Sequence, residues 1–338
     1  MKMWKKSLVF CLVLLMVLAT LSACGGNMTN ETGQTTAPTE PAEEAKVLKV
    51  LTLGHSLAVD SGHMLALVAY KEGYESLQVG TLYYSGCPLE KHVKFMLGNS
   101  PEYSLYLSST DEPNTPPVVM QSVTMQQAIV YDYWDIIVMQ GGPFEIGEDA
   151  AYKNGNIQKI QAFVNQHKKN PNAKFAWHMT WALPTDNELR DMYPYADNPY
   201  YRDYAKFYNN RTKFYNSITK CVNDNILTDK TFQILIPSAT AFENALSSYL
   251  EEKDIHRDYA HATDFTRVIA SYTWYCSLIG IEKLEEIKLD VVPKRFLTAQ
   301  IGGDWELTQH EKDLILESVN NALAEPLKMT QSQYTEKP

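Results

Sequence analysis

A serine stands directly after an apolar run in the first part of the chain. Residues 47–53 read Val-Leu-Lys-Val-Leu-Thr-Leu, and Gly54, His55 and Ser56 follow them. The run predicts a strand, and Gly54 permits a sharp turn into a helix that begins near Ser56. Free backbone N–H groups at that helix start would stabilise an oxyanion, so Ser56 is a candidate nucleophile. The alternative is an ordinary helix N-cap, a position that serine often occupies.

An aspartate and a histidine near the end of the chain have a spacing that suits proton transfer. Asp258 and His261 lie three residues apart, just before a predicted helix over 263–279. At this spacing the carboxylate can accept from Nδ1 of the imidazole, which leaves Nε2 to take a proton from a serine hydroxyl. Alternatively, the two residues form a surface pair at a helix start. Together with Ser56, they favour a Ser-His-Asp site that works through an acyl-enzyme.

Short apolar runs alternate with helical patterns between these residues. Strands are predicted over 47–53, 77–84, 135–139, 174–179 and 232–236, and helices over 60–70, 88–97, 124–131, 157–167, 202–223, 263–279 and 308–323. The alternation predicts an α/β fold with a parallel sheet of about five strands, covered by helices on both faces. Because active sites in such sheets lie at the carboxyl ends of the strands, chemistry is expected just after each run.

The first 46 residues have the features of an export signal and a tether. Three lysines precede an apolar run over 7–21, which is short for a permanent membrane span. Leu-Ser-Ala-Cys at 21–24 resembles the lipobox of bacterial lipoproteins, which implies a signal peptide over 1–23 and a lipid on Cys24. An ordinary secretory signal with a stray cysteine is the alternative. Residues 24–46 are predicted to be a disordered tether, so we expect an exported protein, anchored to the extracytoplasmic face of the cell membrane.

The rest of the chain is predicted to be one domain over 47–325, with a tyrosine-rich insertion at about 184–202 and a flexible tail over 326–338. The net charge is −10 with no basic run, which makes nucleic acid a poor candidate partner. The histidines lack metal-ligand spacing, so no metal and no cofactor are expected. Cys87, Cys221 and Cys276 are widely spaced among apolar residues and are predicted to be buried free thiols.

Five short motifs occur in an order that resembles the DUF4886 family of secreted bacterial proteins, within the SGNH (GDSL-like) hydrolase superfamily. They lie at 54–60, 86–92, 134–141, 178–182 and 257–261, and an aromatic-rich helix over 263–279 follows them. The similarity runs from about residue 48 to about residue 282. It implies a flavodoxin-like three-layer α/β/α sandwich.

The resemblance also implies roles for particular residues. Ser56 would be the nucleophile and His261 the general base and acid, oriented by Asp258. The oxyanion hole would consist of the N–H groups of Ser56 and Gly86 and the side-chain amide of Gln140. Three departures from the family pattern affect this site. His55 replaces the usual Asp or Asn. The Asn of the third SGNH block is absent, and Gln140 is its nearest substitute. Gln140-Gly141 stands where the family has a Gln-Gln pair.

Further side chains are candidates for the substrate pocket. His55, His178 and Trp181 follow predicted strands, although a histidine flanked by Trp177 and Met179 is more often a core residue. The insertion and the predicted helix after it contain tyrosines that suit stacking on sugar rings or, alternatively, packing on the domain. These are Tyr193, Tyr195, Tyr200, Tyr201, Tyr204, Tyr208 and Tyr215.

Two functions remain open from the sequence. The first is a lipid-anchored serine esterase that deacylates, and in particular deacetylates, a glycan. The second is a lipoprotein of the same fold that binds glycan without turnover, since fold alone does not establish activity.

Overall fold

A computed structural model describes residues 47–74, 76–186, 188–189, 210–298 and 302–338. The predicted signal peptide, Cys24 and the tether lie outside the described residues. So do most of the tyrosine-rich insertion and the first part of the predicted helix over 202–223, which contain the tyrosines from Tyr193 to Tyr208. No helix in the described ranges is long and apolar enough to span a membrane.

A seven-stranded sheet forms the centre of the protein, in the order β4-β3-β2-β1-β5-β6-β7. The strands are β1 Leu48–Gly54, β2 Leu77–Tyr83, β3 Tyr103–Ser109, β4 Val118–Val123, β5 Ile136–Met139, β6 Lys174–His178 and β7 Phe232–Ile236. Strands β2, β1, β5, β6 and β7 are parallel and correspond to the five predicted apolar runs. Their order is that of a flavodoxin-like sheet, so the predicted fold class is confirmed.

Two antiparallel strands extend this sheet and were not predicted. β3 pairs with β2, and β4 pairs with β3 at the sheet edge. β3 reads Tyr-Ser-Leu-Tyr-Leu-Ser-Ser and buries only Tyr103 and Leu105, while β4 is exposed up to its last residue. Such partly polar strands lack the continuous apolar run that marks a strand buried on both faces.

Helices cover both faces of the sheet, as expected for a parallel core. They are α1 Ser56–Gly62, α2 Leu65–Lys71, α3 Leu89–Leu97, α4 Met125–Ile129, α5 Asp149–Lys153, α6 Asn156–His167, α7 Arg211–Cys221, α8 Ser238–Leu246, α9 Glu252–Ile255, α10 Asp264–Ile279 and α11 Gln309–Ala324. α1, α2, α8 and α11 pack around α10, and α3, α4 and α5 pack around α6. A π turn over Val222–Ile226 continues α7. A short antiparallel pair, β8 Val291–Val292 with β9 Trp305–Glu306, follows α10. The three cysteines of this domain are buried free thiols, as predicted.

The C-terminal segment differs from its prediction. Residues 326–338 were expected to be a flexible tail, but the segment runs along the end of α8 and is bonded there. The N–H of Thr330 donates to Asn244 Oδ1 at 2.7 Å, and the N–H of Tyr249 donates to the Tyr334 carbonyl at 3.0 Å. Ser332 is 5% exposed. The sequence did not predict this docking, because the segment is polar and is held by hydrogen bonds rather than by buried apolar side chains.

Candidate active site

Ser56 is the first residue of α1 and lies at the carboxyl end of β1. β1 sits between β2 and β5, where the chain order of the parallel strands reverses, and clefts in α/β sheets open at such a point. Gly54 is required for space, because a Cβ there would lie 2.9 Å from Ala58 Cβ and 3.0 Å from Gln140 Nε2. Ser56 is therefore held, half-buried, at the edge of the sheet where chemistry was expected.

His55 caps α1 and connects it to the loop after β5. Its Nδ1 accepts from the N–H of Leu57 at 3.3 Å, and its Nε2–H donates to the Gly141 carbonyl oxygen at 2.9 Å. These two bonds fix a neutral imidazole that carries its proton on Nε2. Burial lowers the pKa of His55 to about 4. With 0% exposure, this candidate pocket residue presents no surface to a ligand in the structure.

Asp258 and His261 form a closed turn in which the carboxylate orients the imidazole. Nδ1 of His261 lies 2.9 Å from both carboxylate oxygens. Asp258 Oδ1 also accepts from the backbone N–H of Ala260 at 2.9 Å and that of His261 at 2.8 Å. Partial burial raises the pKa of Asp258, but the hydrogen bonds from His261 outweigh it, and the net pKa lies well below the usual range. The ionised carboxylate therefore accepts from Nδ1–H, and in this tautomer Nε2 is the nitrogen that can accept a proton.

The turn that carries His261 is bonded to the helix that begins with Ser56. The N–H of Ala262 donates to Asp60 Oδ2 on α1 at 3.0 Å. Besides the effect of burial, a protonated His261 would also lower the pKa of His55, the neighbour of Ser56. Among the described residues, the Ser56 hydroxyl has no hydrogen-bond partner and none joins it to His261. The structure thus attaches the turn that carries His261 to the helix that Ser56 begins.

Two of the three candidate oxyanion donors are backbone groups left free by the fold. Ser56 is the first residue of α1, where backbone N–H groups lack helical partners. Gly86 follows β2 in a tight turn and has a φ of 54°, a conformation that suits glycine. Neither N–H donates to another described residue. Both are thus available to a developing negative charge.

The third candidate donor, Gln140, belongs to a buried polar cluster. Gln140 is 1% exposed, and its Oε1 accepts from Nδ1 of His178 at 2.8 Å. Its Nε2 is buried without a hydrogen-bond partner in the described part of the chain. An orphaned buried donor is costly, and an oxyanion near Gly54 would give this one a partner.

His178 and Trp181 support the site from the core. Nε2 of His178 accepts from the Ser238 hydroxyl at 3.1 Å, and burial lowers the pKa of this histidine well below its usual value. Trp181 is 0% exposed, and its indole N–H donates to the Ala260 carbonyl at 2.8 Å, next to His261. The structure therefore gives these two pocket candidates supporting contacts and no surface for a substrate.

Glu145 joins the two loops that supply Gly86 and Gln140, and no role was predicted for it. Its Oε1 accepts from the N–H of Leu89, at the start of α3, at 2.8 Å and from that of Gly142 at 2.9 Å. A Cβ at Gly142 would lie 2.8 Å from Pro88 Cα, so the loops approach closely only with glycine there. A buried carboxylate between two loop amides is not visible in a local sequence pattern.

A cavity of about 380 Å³ adjoins the segment that follows His261. Thr263 lines it together with the aromatic side chains of Tyr249, Phe265 and Trp305. The rings of Phe265 and Trp305 are 6.2 Å apart and tilted by 53°. Charged groups complete the lining: Lys253, Asp254, Asp264, Glu311 and Lys337. Aromatic faces combined with polar groups suit an amphipathic ligand such as a sugar.

No group of three or more His, Cys, Asp or Glu side chains is placed to hold a metal ion within the described ranges. The expectation that the protein needs no metal or cofactor remains a prediction.

The sheet order and the helices on both faces define a flavodoxin-like α/β protein, with a candidate serine site at the carboxyl end of its first strand. The family model "Domain of unknown function (DUF4886)" matches residues 49–298, and the chain belongs to this family. The predicted family membership is therefore confirmed.

A solved structure of the same family has the same fold. The crystal structure of a DUF4886 family protein from Bacteroides uniformis superposes with a TM-score of 0.69 at 22% identity, covering 86% of this chain and 100% of that one. An acetyl xylan esterase aligns with a TM-score of 0.36 at 14% identity, covering 67% of this chain and 98% of its own, which is too loose to carry a statement about this protein. No curated protein sequence matches the chain significantly.

Proposed function

We propose that this protein is an exported, lipid-anchored serine esterase that removes acyl groups, acetyl in particular, from a glycan. The observation that carries the proposal is the ionised Asp258 on Nδ1 of His261, in a turn bonded to the helix that begins with Ser56. In a Ser-His-Asp site this arrangement prepares Nε2 to accept the serine proton.

The proposed reaction follows from which groups donate and which accept protons. Ser56 Oγ attacks the ester carbonyl carbon while His261 Nε2 takes its proton. The negative charge on the carbonyl oxygen is stabilised by the N–H groups of Ser56 and Gly86, each worth about 3 kcal/mol in the transition state if preorganised. His261 then protonates the departing sugar oxygen, and an acyl-enzyme remains. Water attacks this ester with His261 as base, which releases the carboxylate and returns the proton to Ser56.

The glycan and the anchor are supported by separate observations. The aromatic cavity after His261 offers a place for a sugar ring, and the net charge of −10 favours a neutral polymer over an anionic one. The lipobox-like residues 21–24 and the polar segment after them support a tethered position outside the cytoplasm. A glycan of the cell envelope or the surroundings would be within reach of such a tethered domain.

The first experiment compares the wild type with Ser56→Ala on p-nitrophenyl acetate. The wild type should hydrolyse this ester with a burst of nitrophenol as the acyl-enzyme forms, and Ser56→Ala should show only the background rate. Equal rates for the two proteins would refute the esterase.

The second candidate function is glycan binding without turnover. It is favoured by the absence of a Ser56–His261 hydrogen bond among the described residues and by the enclosed Nε2 of Gln140. Titration calorimetry with deacetylated and acetylated oligosaccharides separates the two. Binding of both by the wild type, with no ester hydrolysis, would favour the binding protein.

A further inference from the structure

Asp60 joins the helix of Ser56 to the turn that carries His261. Its carboxylate is 1% exposed and lies about one helical turn after Ser56 on α1. Oδ2 accepts from the N–H of Ala262 at 3.0 Å. Oδ1 accepts from Arg257 Nη1 at 3.1 Å and from Arg267 Nε and Nη2 at 2.9 and 2.6 Å.

The partners of Asp60 include both ends of the turn over 257–262. Arg257 begins this turn and Ala262 ends it, and Nη1 of Arg257 also donates to the Ala262 carbonyl at 2.5 Å. The backbone N–H of Arg257 donates to the His261 carbonyl at 2.9 Å. The turn is therefore closed on itself, and one carboxylate fixes its two ends to α1.

Arg267 also holds the Asp60 carboxylate in place. It lies on α10, is 4% exposed, and contacts Asp60 with two guanidinium nitrogens. Two arginines on one buried carboxylate add little to stability compared with apolar packing, because desolvation opposes the attraction. What such a cluster provides is geometry, since the planar guanidinium fork fixes the direction of its partner.

We propose that Asp60, oriented by Arg267, is a positioning residue that sets the distance between Ser56 and His261. This inference rests on the proposed esterase function for its catalytic meaning, although the attachment of the turn can be measured without it. The side chain touches no reacting atom and acts through the position of the turn.

Substitution of Asp60 by Asn should detach the turn while it preserves shape. In one orientation the new amide nitrogen faces the N–H of Ala262, and in the other it faces the guanidinium of Arg267. In either orientation the amide N–H group faces another hydrogen-bond donor. The side chain therefore loses either its bond to the N–H of Ala262 or its bonds to the guanidinium groups. Arg267→Lys keeps the charge but replaces the fork by a single ammonium group, and it should loosen the turn less.

The test compares Asp60→Asn and Arg267→Lys with Ser271→Ala as the matched control. The Ser271 hydroxyl is buried and donates to the Ser61 carbonyl at 2.9 Å, so it joins the same two helices without contacting the turn. Two quantities are measured on each full-length protein: amide hydrogen exchange over 257–262, and kcat and KM on p-nitrophenyl acetate.

For Asp60→Asn we expect exchange in 257–262 to rise roughly tenfold or more, as for a turn that opens locally. We expect kcat to fall about a hundredfold, as for a reactive group misplaced by about 1 Å, with little change in KM. Arg267→Lys should give a smaller change in both quantities, and Ser271→Ala should leave both near the wild type.

The proposal is overturned if amide hydrogen exchange over 257–262 is the same in Asp60→Asn as in Ser271→Ala. This holds whether or not the wild type is an esterase. A loosened turn with unchanged kcat would also overturn the proposal. A wild type no faster than Ser56→Ala refutes the esterase instead, and the exchange rates still decide whether Asp60 holds the turn. If Asp60→Asn does not fold, as judged by circular dichroism, Arg267→Lys decides by the same two measurements.

Discussion

Replacement of Asp258 by Asn is the sharpest test of how the Asp-His pair works. Oδ1 of Asp258 accepts from the backbone N–H groups of Ala260 and His261 as well as from Nδ1, whereas Oδ2 accepts from Nδ1 of His261 and lies 3.9 Å from Nε of Arg257. In Asp258→Asn the amide oxygen should keep the Oδ1 position, because two backbone donors face it. The amide nitrogen then takes the Oδ2 position and donates to Nδ1. His261 is driven to the tautomer that carries its proton on Nε2, which cannot accept from Ser56.

The expected loss has an electrostatic part and a tautomeric part. At an effective dielectric constant of 20, a carboxylate about 4 Å from an imidazolium charge contributes about 4 kcal/mol. The side chains of His261 and Asp258 are 18% and 27% exposed, so solvent reduces this to roughly 3 kcal/mol. That is roughly a hundredfold in kcat, and the wrong tautomer raises the loss toward roughly 10⁴-fold.

The assay is steady-state hydrolysis of p-nitrophenyl acetate between pH 6 and 9, with Asp224→Asn as the control. Asp224 pairs with Lys220 on the surface, and its substitution should leave kcat unchanged. We expect Asp258→Asn to keep the wild-type unfolding midpoint within a few degrees. A folded Asp258→Asn with kcat within threefold of the wild type would refute the assigned role of Asp258.

Three further outcomes are expected. Trp305→Ala should raise the KM for an acetylated oligosaccharide roughly tenfold and leave the KM for p-nitrophenyl acetate unchanged, because only the oligosaccharide reaches the aromatic cavity. Equal changes in the two KM values would contradict a sugar subsite in this cavity. The free energy of unfolding in urea should fall as pH falls from about 6.5 to 4: burial lowers the pKa of His55 from 6.5 to about 4, so the unfolded chain binds this proton first. This histidine contributes on the order of 3 kcal/mol to that loss, and His55→Asn should flatten the pH dependence; an unchanged slope would count against it. Truncation after residue 325 should cost about 2–3 kcal/mol, from hydrogen bonds such as Thr330 to Asn244, and an unchanged unfolding midpoint would show that the docked tail adds nothing.

The sequence predicted those features that depend on neighbouring residues. A strand buried on both faces must be apolar along its whole length, so the five parallel strands were visible as runs, and the carboxyl end of the first run located Ser56. Asp258 and His261 are only three residues apart, so their bond follows from local geometry. β3 was missed because its alternate positions are half-buried and mostly polar, and β4 because it is exposed along almost its whole length.

The tertiary structure decided which distant side chains support the site. The bond between Asp60 and Ala262 spans 202 residues, and that between Trp181 and Ala260 spans 79. No residue pattern within one element specifies such contacts, because they depend on how α1, α10 and the strand ends pack together. The same packing buried His55 and His178, two residues whose positions after predicted strands had made them pocket candidates. The sequence thus determined the catalytic candidates and the parallel core, whereas packing determined how the turn that carries His261 is attached to the helix that begins with Ser56.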